Sequence, residues 1–406
     1  MLNIRKVAVG LSGGVDSAVT AFLLKQKGYD VKGVFMQNWD LRDEFGKCSS
    51  EEDYKDAQVV AKNLKIPLKH VKFVKEYWNE VFLNLLKDYE TGYTPNPDIL
   101  CNRHVKFNYF YKYARDVLKV DAIATGHYAR TNFGSYLENF NENENVKLLR
   151  AKDDFKDQTF FLCQIGQEAL RRTMFPLGTL LKSEVKEIAA KNGLEKFAAK
   201  KESMGICFIG ERNFQGFISE YISDKVGNFV DIESGKIVGQ HTGIHKWTIG
   251  QRSKLGGFAN PYYVAKKEVD TNTIYVASGS KNSAFHSSLF FTSKPHWINK
   301  QPKELLDGNI FECQFKFQHT HDLINCELCE TSKGLVVWLS SQKRALTAGQ
   351  YAVFYKNDEC LGGARMMHIG PSNFSLYWLQ NNNKCKVTRR LYKYEDNKKR
   401  AIKLTQ

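Results

Sequence analysis

Apolar residues follow two textures along the first third of the chain. Val7-Ala8-Val9 and Val31-Lys32-Gly33-Val34-Phe35-Met36 are short runs with few polar breaks, and they read as buried strands. Ala18, Val19, Ala21, Phe22 and Leu23 instead recur at helical spacing until Gly28 ends the run. Residues 51–64 predict a second helix capped by Ser49 or Ser50, followed by a strand at 68–74. Ala122-Ile123-Ala124-Thr125 is a further strand that ends in Gly126-His127. Strands alternating with helices predict an α/β domain built on a doubly wound parallel sheet, with ligand groups at the carboxyl ends of the strands. Met36, Gly126 and the glycine-rich turn after Val9 all fall at such ends.

The texture then changes. Asn132 to Lys147 is rich in Asn and Glu and reads as a surface excursion; helical patterns return at 155–171 and 182–192. From about Asn213 short strands punctuated by glycine take over, and Ser287 to Gly370 is strand-rich throughout. The expected organisation is a catalytic domain over 1–212, a small central linking domain over 213–285 and a C-terminal β-barrel-like domain over 286–374. A basic tail over 375–406 follows, with nine Lys or Arg between Lys384 and Lys403 against Glu395 and Asp396. No internal repeat is visible.

Bulk properties narrow the partners. At 406 residues the chain exceeds one ordinary core. A formal net charge of +15 points to a polyanionic partner, because clustered Lys and Arg draw phosphates through counterion release. No apolar run reaches the roughly 18 residues of a membrane span, so no membrane partner is expected. Nine cysteines are scattered without a disulfide rhythm, which favours a reducing compartment. Only Arg5 and Lys6 immediately precede the first strand, so a long Arg-rich presequence is not visible. A monomer is the default expectation.

Two segments carry candidate chemistry. Gly10-Leu11-Ser12-Gly13-Gly14-Val15-Asp16-Ser17 joins a strand to a helix start, so backbone N–H groups and the helix dipole together make an anion site. The Lys-Ser/Thr ending of a Walker loop is absent. The Ser-Gly-Gly-x-Asp-Ser form resembles the pyrophosphate loop of the N-type ATP pyrophosphatases, which adenylate a substrate. In the second segment, Thr94-Pro95-Asn96-Pro97-Asp98-Ile99-Leu100-Cys101-Asn102, two prolines stiffen the approach to a single Cys beside Arg103 and His104. Cys207, flanked by Gly205 and Gly210, is another candidate thiol, although on its own it reads equally as a buried strand residue.

Ordered motifs extend the resemblance. The two segments above occur with Ala124-Thr125-Gly126-His127-Tyr128, Lys156-Asp157-Gln158, Gly205-Ile206-Cys207-Phe208-Ile209-Gly210, Thr248-Ile249-Gly250-Gln251-Arg252 and Ala348-Gly349-Gln350-Tyr351. Together and in this order they resemble the tRNA-specific 2-thiouridylase family over roughly residues 5–372. Lys75-Glu76-Tyr77-Trp78-Asn79 and Phe155 to Phe161 are closer to its animal mitochondrial branch.

The resemblance implies a mechanism. ATP with Mg²⁺ would bind at Gly10 to Ser17, with Met36 and Gly126 shaping the adenosine pocket. A wobble uridine of tRNA would be adenylated at O2, and a persulfide on Cys207 would displace AMP at C2. Cys101 would be the nucleophile that releases the sulfur through a transient disulfide with Cys207. Asp98 would be the acid/base group beside the uridine, with Asn96 and Pro97 lining the pocket of the flipped base. His127, Lys156, Asp157, Gln158 and Gln350 match tRNA-contacting positions. Lys316-Phe317 stands where bacterial members carry Arg-Tyr, keeping the charge and the ring but losing the guanidinium fork and the hydroxyl. Implied partners are tRNAs for Lys, Glu and Gln and an upstream cysteine desulfurase or sulfur-relay protein; the implied location is the mitochondrion.

Rival readings explain less. Amidating ATP pyrophosphatases such as GMP or argininosuccinate synthetases need no cysteine pair, and a non-catalytic RNA-binding protein has no use for an intact Ser12, Asp16, Ser17, Cys101 and Cys207. His319, His321, Cys326 and Cys329 are four potential zinc ligands close in sequence. Their spacing is not that of a finger, so packed strand residues are the expectation. Trp247 and Trp297 read as packing residues.

Overall fold

The computed structural model describes residues 4–40, 49–200 and 213–376. Cys48, Cys207, Cys385 and all but the first two residues of the expected basic tail lie outside the described residues.

The strands of the first part are β1 (Lys6–Gly10), β2 (Asp30–Gln37), β3 (Leu68–Lys72), β4 (Ala122–Ala124), β5 (Arg130–Thr131), β6 (Leu148–Leu149) and β7 (Thr173–Met174). Five of them form a parallel sheet in the order β3-β2-β1-β4-β7. Val7, Ala8 and Val9 at its centre are fully buried, as an apolar strand covered on both faces must be. Helix α1 (Val15–Gln26) buries Ala18, Val19, Ala21 and Leu24, and α2 (Ser49–Leu64) follows the predicted periodicity. Strand order reverses between β1 and β4. That switch point opens a crevice at the carboxyl ends of these two strands, where the glycine loop and Gly126 lie.

Two expectations need correction. The excursion over 132–147 is not merely superficial, because Phe133, Leu137 and Val146 are buried beneath its polar residues. Its flanks, β5 and β6, pair with each other, and β6 continues onto a strand of the C-terminal sheet (Leu148↔Cys360, Leu149↔Glu359). Secondly, 155–171 is not one helix but turns, a 3-10 turn at Thr159–Leu162 and a short helix at Gln167–Leu170. The Asp157 carboxylate takes the N–H groups of Ala151 and Thr159, bonds that compete with helix formation. The pattern at 182–192 does give a helix, Lys182–Lys191.

The middle of the chain begins with a helix, Phe214–Ser219, before β8 (Gly227–Asp231), β9 (Ile237–His241), β10 (Tyr262–Glu268) and β11 (Thr273–Ser278). These strands form one sheet in the order β10-β11-β8-β9 over Phe229, Val264, Ile274 and Val276. Last come β12 (His286–Thr292), β13 (His296–Trp297), β14 (Phe311–Lys316), β15 (Ile324–Thr331), β16 (Gly334–Arg344), β17 (Tyr351–Lys356) and β18 (Glu359–Ile369). The order β12-β16-β15-β14-β17-β18 returns to β12 and closes a six-stranded barrel around Phe290, Phe315, Val337, Phe354 and Met366. Closure removes the open edges that such a sheet would otherwise present. Trp247 packs on Phe229 with ring centres 5.2 Å apart, and Trp297 on Phe354 at 6.0 Å. Cys326 faces Cys313 across β14 and β15 with sulfurs 3.6 Å apart, and His319 lies against the Phe161 ring. Among the described residues no helix is long and apolar enough to cross a membrane.

Candidate active site

The glycine loop leaves β1 and turns into α1. Gly13 has φ +75°, and a Cβ there would lie 2.6 Å from the Asp53 carbonyl oxygen, so both conformation and space require glycine. The Ser17 hydroxyl knits the loop, accepting from the Ser12 N–H at 3.1 Å and donating to the Gly14 carbonyl at 3.0 Å. Gly14 sits at the N-cap without a side chain to offer, which leaves the first-turn N–H groups of α1 to a ligand. Gly126 closes on this loop from β4, with Asp16 C and Ser17 N only 2.8 Å from where its Cβ would be. The Met36 methyl, at the end of β2, lies 3.1 Å from the corresponding position on Gly10. Two residues on, Asn38 Oδ1 is buried without a hydrogen-bond partner among the described residues.

Asp16 is held by groups the sequence did not single out. Lys182 Nζ lies 2.7 and 2.8 Å from its two carboxylate oxygens, and the Tyr128 hydroxyl donates to Oδ1 at 2.9 Å. Tyr128 belongs to a recognisable segment, but Lys182 opens a helix far along the chain with no motif around it. Only the fold brings it here.

The stiffened loop before Cys101 is in fact a helix start. Asn96 is the N-cap, its Oδ1 accepting from the Ile99 N–H at 3.4 Å, and Pro97 occupies the first helical position, where its missing N–H costs nothing. Helix Pro97–Leu100 runs directly into the helical stretch Cys101–Phe110. Asp98 and Cys101, three residues apart, therefore share a helix face. Asp98 opens to solvent from a recess whose surrounding protein raises its carboxyl pKa, and the Lys106 charge opposes that rise. Cys101 is buried. The cationic neighbours expected around it are committed elsewhere, Arg103 to Gln164 at 3.1 Å and His104 to Glu80 at 3.6 Å. Asn102 donates to the Phe161 carbonyl, and its own Oδ1 is buried without a partner among the described residues.

His127, expected near the bound tRNA, faces inward. Its Nδ1 is 2.8 Å from Thr125 Oγ1, its Nε2 is 3.5 Å from Lys106 Nζ, and its ring lies between Phe107 and Phe175. Burial holds the imidazole pKa well below its ordinary value. The ring is thus neutral, accepting from Lys106 at Nε2 and donating to Thr125 at Nδ1.

Several other expected contact residues also point into the protein. Asp157 is buried, accepting from Ala151 N and from Thr159 N and Oγ1. Gln158 exchanges hydrogen bonds with the Tyr128 backbone. Lys316 and Phe317 are both buried, with Phe317 stacked on Phe315. Gln350 reaches from the barrel to the helix that carries Asp98: its Nε2 donates to the Thr94 and Pro95 carbonyls at 3.1 and 3.0 Å, and its Oε1 accepts from Asn96 at 3.4 Å. Beside it, Thr94 N–H donates to the Ala348 carbonyl.

A parallel sheet with a phosphate-type loop at its switch point, followed by a four-stranded unit and a closed barrel, defines a HUP-domain enzyme with two appended β modules. Family models match the same three segments: the "tRNA methyl transferase HUP domain" over residues 5–211, the "tRNA methyl transferase PRC-barrel domain" over 215–278 and the "Aminomethyltransferase beta-barrel domain" over 287–366. Mitochondrial tRNA-specific 2-thiouridylase 1 of Drosophila melanogaster is 52% identical across 91% of this chain and 95% of its own length. The Gallus gallus protein of the same name is 49% identical (92% and 94% covered), and the Homo sapiens one 47% identical (93% of each). The chain belongs to the tRNA-specific 2-thiouridylase family.

Proposed function

We propose that the protein uses ATP to 2-thiolate the wobble uridine of mitochondrial tRNA, with the residues of the crevice in the roles that follow. One observation carries the reading. The strand end Thr125-Gly126-His127 touches both halves of the chemistry, Gly126 against the Asp16–Ser17 backbone of the loop and His127 against Lys106, whose charge acts on Asp98. Nucleotide and target base would thereby meet at one crevice.

The cradle fits a nucleotide. Gly13 and Gly126 leave no room for a Cβ, the helix N-terminus is uncapped, and Asn38, two residues after Met36, supplies a spare acceptor. Mg²⁺ bound mainly by phosphate oxygens would neutralise charge, and Asp16 is the carboxylate at the loop. Lys182 would steady the same charge. Uridine O2 attacks the α-phosphate and pyrophosphate leaves, while Asp98, its pKa raised by the surrounding protein, handles the base proton. The terminal sulfur of a Cys207 persulfide then attacks C2, and AMP departs with the oxygen. The Cys101 thiolate attacks the Cys207 sulfur, freeing the thiouridine and leaving a Cys101–Cys207 disulfide that an external thiol must reduce. A cysteine desulfurase or relay protein would reload Cys207, and the acceptors would be tRNAs for Lys, Glu and Gln. The division into 1–212, 213–285, 286–374 and a tail belongs to the same proposal. Gln350 and Lys156 are retained as contacts near the RNA; Asp157, Gln158, His127, Lys316 and Phe317 would support them from within.

The test is transfer of labelled sulfur from a persulfide donor to tRNA with ATP, with AMP followed in parallel. Wild type should thiolate, while Cys101→Ser and Cys207→Ser should not. AMP formation by wild type without any thiolated tRNA would sink the substrate assignment.

A further inference from the structure

We propose that Phe155 is a stacking platform for an unpaired base of the bound tRNA, an inference that rests on the thiolation reading above. Phe155 is 89% exposed, the most exposed large hydrophobic side chain among the described residues. Its backbone, by contrast, is locked. Asp153 Oδ1 accepts from the Phe155 N–H at 3.1 Å and the Lys156 N–H at 3.2 Å, while Oδ2 accepts from the Lys182 N–H at 2.9 Å. The turn is thus fastened to the residue that grips Asp16 in the nucleotide loop. Buried Asp157 closes its other side.

A phenyl ring displayed on a rigid turn forgoes the burial that normally stabilises it, and it is set for a partner with a π face. Its surroundings favour nucleic acid over protein. Its sequence neighbours from Lys152 to Asp157 are charged rather than apolar, and among them Lys156 suits a backbone phosphate. The adjacent Asp154 pairs with Arg150 at 2.6 Å, which weakens its repulsion of one. Aromatic rings beside cations are the usual reading surface for unpaired bases, and the chain carries a net charge of +15.

The experiment is tRNA binding to the full chain carrying Phe155→Ala, Phe155→Leu or Phe155→Trp, without turnover. Alanine and leucine should each weaken binding about 5- to 140-fold, the range for one lost base stack, with the salt dependence unchanged because no phosphate contact is removed. Tryptophan should bind within about twofold of wild type, and tRNA should quench the fluorescence that it adds. KM for ATP and the thermal midpoint should stay at wild-type values. Alanine binding as tightly as wild type, or leucine replacing phenylalanine fully, would overturn the stacking role. Failure of wild type itself to bind tRNA would instead overturn the thiolation reading.

Discussion

Gly126→Ala tests whether the β1/β4 crevice is the nucleotide site. The added methyl would sit 2.8 Å from Asp16 C and Ser17 N and 3.1 Å from Asp16 Cβ. Two of these atoms are backbone, so no rotamer change relieves the clash. Ordinary contact at about 3.5 Å requires a displacement of roughly 0.7 Å. Overpacking of this kind costs about 1–3 kcal/mol. The displaced Ser17 N–H belongs to the first turn of α1, whose donors would face the phosphates, and misplacement by 1 Å costs reactions about 100-fold. We therefore expect kcat/KM for ATP to fall about 10- to 100-fold in tRNA-dependent pyrophosphate release, with a lower Tm. Gly166→Ala is the control: nothing lies within 4 Å of its Cβ position and its φ is −84°, so activity should be retained. Wild-type kcat and KM for ATP in Gly126→Ala would refute a nucleotide bound against this strand end.

Lys182→Met removes the ammonium from Asp16, and AMP formation in a single turnover should drop about 100-fold or more, as for loss of one preorganised charge partner; retention of a tenth of the rate would exclude the role. Gln350→Ala breaks three hydrogen bonds to Thr94, Pro95 and Asn96. At about 0.5–1.5 kcal/mol each, the cost should appear as a lower denaturation midpoint and a reduced kcat with KM for ATP unchanged. Gln350→Glu should recover only part of it, and a change confined to KM for tRNA would show that these hydrogen bonds are dispensable and that Gln350 acts through its RNA contact alone. Asp98→Asn should abolish thiolation yet stabilise the fold. Because folding raises the Asp98 pKa, its ionisation destabilises the native state in full above the raised value and not at all below the ordinary one. The gain in Tm over wild type should be present at neutral pH and vanish below about pH 4; equal Tm values at neutral pH would count against the recess.

Sequence pattern reached the parallel sheet, α1, α2 and the barrel because each is written in local periodicity. Val7-Ala8-Val9 can only be a covered strand, and a glycine loop at its end can only turn. It missed what depends on distant partners. Lys182 has the neighbours of any helix start, and nothing near it names Asp16. The Asn96-Pro97 pair carries a helix-start signal, N-cap then proline, but the residues that follow lack a clear apolar period, so the pattern alone predicts a stiff loop. His127, Lys316 and Phe317 match tRNA-contacting positions by their motifs, yet their side chains are buried. A motif records what a residue serves, not which way it faces, and their burial follows from packing against Phe107, Phe175 and Phe315.

The β5–β6 hairpin bears on how the chain comes to be folded. Its Leu148-Leu149 edge is paired by Cys360 and Glu359, so this part of the nascent chain waits with unpaired backbone until roughly two hundred more residues have been made. A strand edge left open in that interval is a site for wrong pairing. Folding cannot be completed module by module, and a fragment that ends before the barrel would keep the edge permanently exposed.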